Sequence, residues 1–286
     1  MLKSFEFNIS IRETMKHKKT LISTLLVASC ASMSTFTQTA QAADAPAAEP
    51  VSSLAFNVGA VSDYRYRGIS QTGKKPALQF GADYTDKSGF YVGTWNSTIS
   101  WIKDTAVAPQ TAKGPLETDL YGGYRGAIVG DLTYDVGVLE YLYIGNNEAS
   151  LTNQKNANTT EVYGSLLYGA AYIKLSDATS NLFGTPSSKG STYVDIGYNF
   201  DFGNGITSVA HYGNQTVKST YATNQVTAYN DFSFTLNKDF DGLVVSGSVI
   251  GTDFGKRGIK QNDTLPGSGT KSLAGPAFVL GIKKNF

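Results

Sequence analysis

Asp63, Arg65 and Arg67 alternate with Tyr64 and Tyr66 in the run 61–70. On an extended strand the two-residue period places the three charges on one face and the tyrosines on the other. If strand one continues through them, they form a charged row at the mouth of a pore. Such rows select ions, and the same charges paired with one another form a lattice that stiffens a wall. Both readings stay open at this point. Glu117 and Asp119 also share a strand face, as paired acid-base carboxylates could, yet no partner acid or base accompanies them and pore lining suits them equally. Asp239 with Asp241-Gly242 has the start of a calcium loop without its remaining ligands, whereas Asp-Gly is a common hairpin signal. His211 has no nucleophile near it in sequence and no G-x-S-x-G occurs, which counts against a serine hydrolase. No catalytic residue, cofactor or metal is expected.

The elements that would position these groups are strands. Charged residues make up 16% of the 286-residue chain, against about 25% in ordinary domains, while 30 Gly, 17 Tyr and 15 Phe favour pleated strands and turns. The net charge of +1 gives no basic face for phosphates, so nucleic acid is set aside as a partner. Twelve strand-like segments follow one another: 53–64, 76–85, 90–102, 118–129, 132–144, 160–168, 170–176, 191–202, 206–215, 226–239, 243–254 and 276–286. The first six run about 9 to 13 residues, enough for a tilted strand to cross a bilayer. The connections alternate between tight ones (86–89, 130–131, 169, 203–205, 241–242) and long ones (69–75, 103–117, 145–159, 177–190, 216–225, 255–275). Outer-membrane barrels sort their connections in this way, with short periplasmic turns and long external loops. Even strand number puts both termini at the short-turn end.

Alternation within the segments agrees. Val194, Ile196, Tyr198 and Phe200 oppose Tyr193, Asp195, Gly197 and Asn199, and Phe232, Phe234 and Leu236 oppose Asp231, Ser233, Thr235 and Asn237. A soluble sandwich alternates too, so the aromatics are brought in: Tyr84, Tyr91, Trp95, Trp101, Tyr143, Tyr168, Tyr198 and Phe202 lie toward strand ends, where an interfacial girdle or an ordinary β-core would use them. Phe278, Leu280, Ile282 and the terminal Phe286 share a face of the last segment, the pattern read by the barrel-assembly machinery, with Lys284 interrupting the row. Further inward candidates for a lumen are Asp83, Asp119, Arg125, Glu161, Asp195, Asp231 and Lys283.

The first 42 residues read as a secretory signal, with Lys16 to Lys19 (around His17), an apolar stretch from Leu21 to Ala28 and Ala40-Gln41-Ala42, and with Met15 as a plausible start. Too few consecutive apolar residues occur for a membrane-spanning helix. A lipobox-like Val27-Ala28-Ser29-Cys30 competes, with Cys30 acylated. Cleavage after Ala42 removes five basic and two acidic residues, leaving a net charge of −2, and removes the only Cys and one of the two His. Residues 43–52 form a short Ala/Pro-rich lead and 53–286 the barrel.

The blocks Asn57-Val58-Gly59, Val61 to Ser70 (VSDYRYRGIS), Lys75 to Gln79 (KPALQ) and Ser88 to Trp95 (SGFYVGTW) resemble the TorF-family porins, a Gcw-type group of conserved proteobacterial proteins. Glu117 to Tyr124, Thr160 to Tyr163 and Tyr229 to Asp231 are similar to the family's later blocks. The resemblance implies an outer-membrane location and a pore, and no particular substrate. The expectation is therefore an all-β, twelve-stranded transmembrane antiparallel up-and-down barrel that passes small hydrophilic solutes or ions without catalysis, with membrane lipids around it. The alternatives are a barrel filled by its own side chains that acts in structure or adhesion through its loops, an outer-membrane enzyme, and a soluble periplasmic β-sandwich binding module.

Overall fold

A computed structural model describes residues 52–104, 109–152, 154–219, 228–254 and 273–286. The signal (1–42, with Met15, Cys30 and Ala42) and nearly all of the lead 43–52 lie outside the described residues. Fourteen strands occur among them: β1 (Ser53–Val61), β2 (Arg65–Tyr66), β3 (Ile69–Ser70), β4 (Ala77–Thr85), β5 (Phe90–Thr98), β6 (Leu116–Val129), β7 (Leu132–Ile144), β8 (Thr159–Tyr168), β9 (Ala171–Ala178), β10 (Thr192–Gly203), β11 (Ile206–Thr216), β12 (Ala228–Phe240), β13 (Leu243–Thr252) and β14 (Ala277–Asn285). Twelve of them close an antiparallel barrel in which each strand pairs with its sequence neighbours, and β1 against β14 seals the wall through Asn57↔Asn285 to Val61↔Gly281. Phe286 adds two backbone bonds to Phe56 at this seam. The short β2-β3 ribbon stands apart from the wall.

Tight turns close one end. Asn204-Gly205 and Asp241-Gly242 both carry positive φ at two successive residues (53° and 71°, 57° and 80°), the hairpin geometry whose twist matches that of the strands and for which Asn-Gly and Asp-Gly are suited. The aspartate pair 239/241 is thus turn chemistry: Asp239 accepts from the Gly242 N–H at 2.7 Å.

Large apolar side chains point outward on every barrel strand, among them Leu54, Phe80, Val92, Val138, Leu166, Ile196, Phe234 and Leu280. A sandwich would bury that row; here it is an exposed apolar jacket, so the chain is a transmembrane β-barrel whose jacket meets hydrocarbon. Phe278, Leu280, Ile282 and Phe286 belong to it, while Lys284 bends to the turn and gives its Nζ to the Asp241 carbonyl at 2.8 Å. Four of the expected girdle residues, Tyr84, Tyr168, Tyr198 and Phe202, face out. Tyr91, Trp95, Trp101 and Tyr143 are buried inside instead, because Tyr91, Trp95 and Tyr143 occupy positions of inward parity and Trp101 lies on α1 (Trp101–Asp104), a single turn capping β5.

Inside, five tyrosines lie across glycines of the adjacent strand. Tyr91 covers Gly123, Tyr121 covers Gly93, Tyr163 covers Gly137, Tyr172 covers Gly197 and Tyr193 covers Gly213, and a Cβ at any of these glycines would fall within 2.1–2.6 Å of the ring or its hydroxyl. The first four pairs are directly opposite in register and the last is diagonal.

Candidate functional site

Sequence periodicity carried the first strand to Tyr64 and placed Asp63, Arg65 and Arg67 along one face of the wall. The wall strand in fact ends at Val61, where Ser62 and Leu280 exchange hydrogen bonds of 2.8 and 2.9 Å, and the chain turns into the lumen. Asp63 organises this turn, accepting from Arg65 Nε at 2.8 Å and Ser70 Oγ at 2.5 Å. The ribbon 63–72 is thereby a compact polar hairpin, with Arg67 and Gly68 at its tip in the left-handed region (φ 45° and 80°).

The hairpin crosses the barrel. Arg65 reaches the Gly275 carbonyl at 2.6 Å, and Tyr64 donates its hydroxyl to Glu117 on β6 at 2.6 Å while meeting Trp95 of β5 edge-on. Tyr66 and Tyr141 of β7 share a hydrogen bond of 2.8 Å. Arg67 donates from its Nη2 to both carboxylate oxygens of Glu161 on β8 (2.9 and 2.8 Å), donates from Nη1 to Gln215 of β11 and lies 4.1 Å over the Tyr193 ring of β10. Gly68 abuts Asp231 of β12 and Thr252 of β13 so closely that any Cβ would collide. From the long-connection end Phe183 packs on Tyr66, Tyr141 and Tyr143, and an apolar cluster of Tyr64, Trp95, Ile99, Trp101, Ile102, Leu139 and Tyr141 fills that half of the interior. Arg65 and Arg67 are 3% and 7% exposed, so they hold a constriction together within the lumen and line no strand face.

The remaining predicted lumen residues are on the inner wall. Asp83 accepts from Tyr121 on β6, Asp119 is buried on the same strand as Glu117, and Lys283 faces inward from β14. One hydrogen-bonded row runs round the barrel as Arg125, Asp135, Ser165, Lys174, Asp195, Gly213 and Asp231 on β6 to β12. Its two cations each have an acid beside them in the row, Arg125 next to Asp135 and Lys174 next to Asp195, and Asp231 ends it. Arg125 sits 4.2 Å over Tyr91 and Lys174 4.0 Å over Tyr163, whereas Asp195 and Asp231 each lie 2.7 Å from one nitrogen of His211. With both ring nitrogens held by carboxylates, His211 has no lone pair free to take a proton from a nucleophile. Asp135, Lys174, Tyr193 and His211 were not among the expected site residues. The first three share inward parity with residues that were, and that parity was the available signal; the Asp195, His211, Asp231 contact depends on the register of three strands.

The arrangement defines a barrel with an apolar outer wall, a charged inner wall and a hairpin drawn across its bore. Residues 44–286 match the family described as a bacterial protein of unknown function (Gcw_chp), and the chain belongs to it. Among solved structures it is similar to the KdgM porin (TM-score 0.45, 8% identity, 82% of this chain and 99% of that chain). It is also similar to the outer membrane channel DcaP of Acinetobacter baumannii (0.40, 11%, 82% and 97%) and to the outer membrane protein OprD from Pseudomonas aeruginosa (0.37, 9%, 82% and 65%). No curated protein matches it by sequence.

Proposed function

We propose that the chain is a narrow outer-membrane channel, of the TorF kind within its family, through which small hydrophilic solutes or ions diffuse passively and without catalysis, and that the 63–72 hairpin sets its clearance. The carrying observation is the charged row from Arg125 to Asp231 inside a wall whose outside is apolar. Charges of both signs on the inner face of a bore set up a field that orders dipolar solutes and ions. The tight turns then face the periplasm and the long loops the exterior. The secretory signal, cleaved after Ala42, supplies the route, and Ala43 becomes the mature N-terminus.

Asp83, Asp119, Asp135, Asp195 and Asp231 outnumber the basic wall positions Arg125, Lys174 and Lys283, which supports a weak cation preference. Purified protein in a planar bilayer is expected to give discrete currents with a reversal potential displaced toward cations in a salt gradient. Replacing Asp195 and Asp231 together by Asn is expected to move that potential toward anions; an unchanged potential in a folded barrel overturns the assignment of the row to the conduction path. The hairpin's burial favours a second reading, a filled barrel working through its loops, and the absence of any current from both the wild type and a hairpin-deleted barrel would select it.

The outward row ending in Phe286 supports recognition by the barrel-assembly machinery. Deleting Phe286 removes the last backbone bonds across the β1-β14 seam, and slower folding with periplasmic degradation is expected. Unchanged outer-membrane levels, measured by immunoblot of fractionated cells, would show that the row carries no signal.

A further inference from the structure

In the short-turn half of the bore, away from the hairpin, four adjacent strands bring unlike groups together on one stretch of inner wall. Arg125 of β6 stands opposite Asp135 of β7, Asp135 opposite Ser165 of β8, and Ser165 opposite Lys174 of β9. Each lies three or four residues from the short-turn end of its strand. With strands about 4.8 Å apart, the four backbone positions form one patch about 15 Å across.

The carboxylate of this patch is held by one oxygen only. Tyr91 donates its hydroxyl to Asp135 Oδ1 at 2.5 Å; with that proton committed, the bond between the Tyr91 and Tyr163 hydroxyls is donated by Tyr163. Two phenols in series thus fix Oδ1, while Asp135 Oδ2 and the neighbouring Ser165 Oγ are buried and make no hydrogen bond. Asp135 and Ser165 are 2% and 7% exposed, and polar atoms left so in an interior cost free energy that folded proteins seldom carry without a use. The cations are placed by the same two tyrosines. Arg125 lies 4.2 Å over the Tyr91 ring and Lys174 4.0 Å over the Tyr163 ring; both are half-buried, within reach of the bore, and both charges act on Asp135. The next acids on either side are engaged elsewhere, Asp83 by Tyr121 and Asp195 by His211.

These charges bound the ligand. A simple anion is attracted by Arg125 and Lys174 but repelled by Asp135, and a simple cation meets the reverse. A small molecule that carries an ammonium and a carboxylate side by side satisfies all three groups. We propose that the patch is a binding site for a zwitterionic α-amino acid, whose carboxylate lies between Arg125 and Lys174 and whose ammonium donates to Asp135 Oδ2 and Ser165 Oγ. The proposal deepens the channel reading and rests on it, since the solute reaches the patch along the bore.

The test uses full-length mature protein in neutral detergent, with L-alanine as probe, propionate and ethylamine as its two halves, and saturation-transfer NMR as the measure of binding. Wild type should bind alanine at least about tenfold more tightly than either half, the factor that one lost charge-assisted hydrogen bond is worth. Asp135→Asn, whose amide oxygen still accepts from Tyr91, should lose the alanine preference and bind propionate more tightly than wild type does. Arg125→Gln with Lys174→Gln should do the converse and favour ethylamine. An unfolded barrel produces neither exchange of preference, and heat-modifiability on gels checks the fold of each variant. No alanine preference in the wild type, or a preference retained in either folded variant, overturns the proposal. Swelling of proteoliposomes in arabinose reads the channel separately. Swelling without an alanine preference keeps the channel and removes the site, whereas an alanine preference without swelling keeps the site and removes the channel.

Discussion

Arg67→Ala is expected to enlarge single-channel conductance several-fold and to make the current noisy, without removing the barrel. Arg67 forms a buried salt bridge from the hairpin to Glu161 of the wall, and its loss leaves Glu161 buried with its charge uncompensated. Breaking a buried pair by removing one partner costs about 3–5 kcal/mol. That cost falls on hairpin docking, because the wall is held by its own ladder: β8 keeps its register with β7 and β9 whatever the hairpin does. The undocked hairpin frees the lumen, and a twelve-stranded bore is wider than the eight-stranded one that side chains just fill. Removing both charges in Arg67→Met with Glu161→Gln should restore most of the closure, since no orphan charge remains. Quiet, unaltered conductance in Arg67→Ala, with normal heat-modifiability on gels, would show that the hairpin does not limit the path.

The second large effect is on pH. Glu148 lies in the 3-10 turn Glu148–Ser150 of the long loop after β7, buried against Gly184 of the loop after β9, and burial lifts its carboxyl from 4.5 to about 8. The Lys155 N–H bond to the Gly184 carbonyl (2.8 Å) and the Phe183 N–H bond to Thr159 Oγ1 (2.8 Å) join the same two loops. Because the folded loops hold the proton more tightly than the opened ones, their packing is fully stable below about pH 4.5, weakens as pH rises, and has lost the contribution once pH exceeds about 8. Phe183 adjoins Gly184 and clamps Tyr66 of the hairpin, so opening of this contact loosens the constriction from outside. Conductance should therefore rise as pH passes from about 4.5 to about 8 in the wild type and stay low in Glu148→Gln, whose neutral amide fills the same space. The same pH response in both proteins would assign it to another group.

Much of this architecture is written locally. Side-chain parity in segments such as 194–200 and 232–236, and the alternation of tight and long connections, depend on near neighbours only, and the twelve wall strands follow with ends displaced by a few residues. The hairpin was hidden for the same reason. Residues 61–67 keep the strand period, so nothing nearby marks the exit at Ser62; the cause is the distant partner set of Arg67 on β8 and β11. The inward burial of Tyr91 and Trp95 follows from their shared parity with Gly93, which position along the strand does not reveal. The carboxylates on either side of His211 come from β10 and β12, and which of their residues meet β11 is decided by register across three strands.

Register has its own safeguard. A slip of one residue turns the apolar jacket inward and is strongly opposed, but a slip of two preserves parity and costs the pattern almost nothing. The tyrosines over glycines remove that loophole. Shifted by two, Tyr91 would meet Tyr121 or Arg125 in place of Gly123, and Tyr172 would meet Asp195 or Asn199 in place of Gly197. Only a residue without a side chain admits the ring, so each pair acts as a key that turns in one lock. Set along β5 to β11, these keys hold β5 with β6, β7 with β8, β9 with β10 and β10 with β11 each to a single register, so the stagger of the closed wall is written into its inner face.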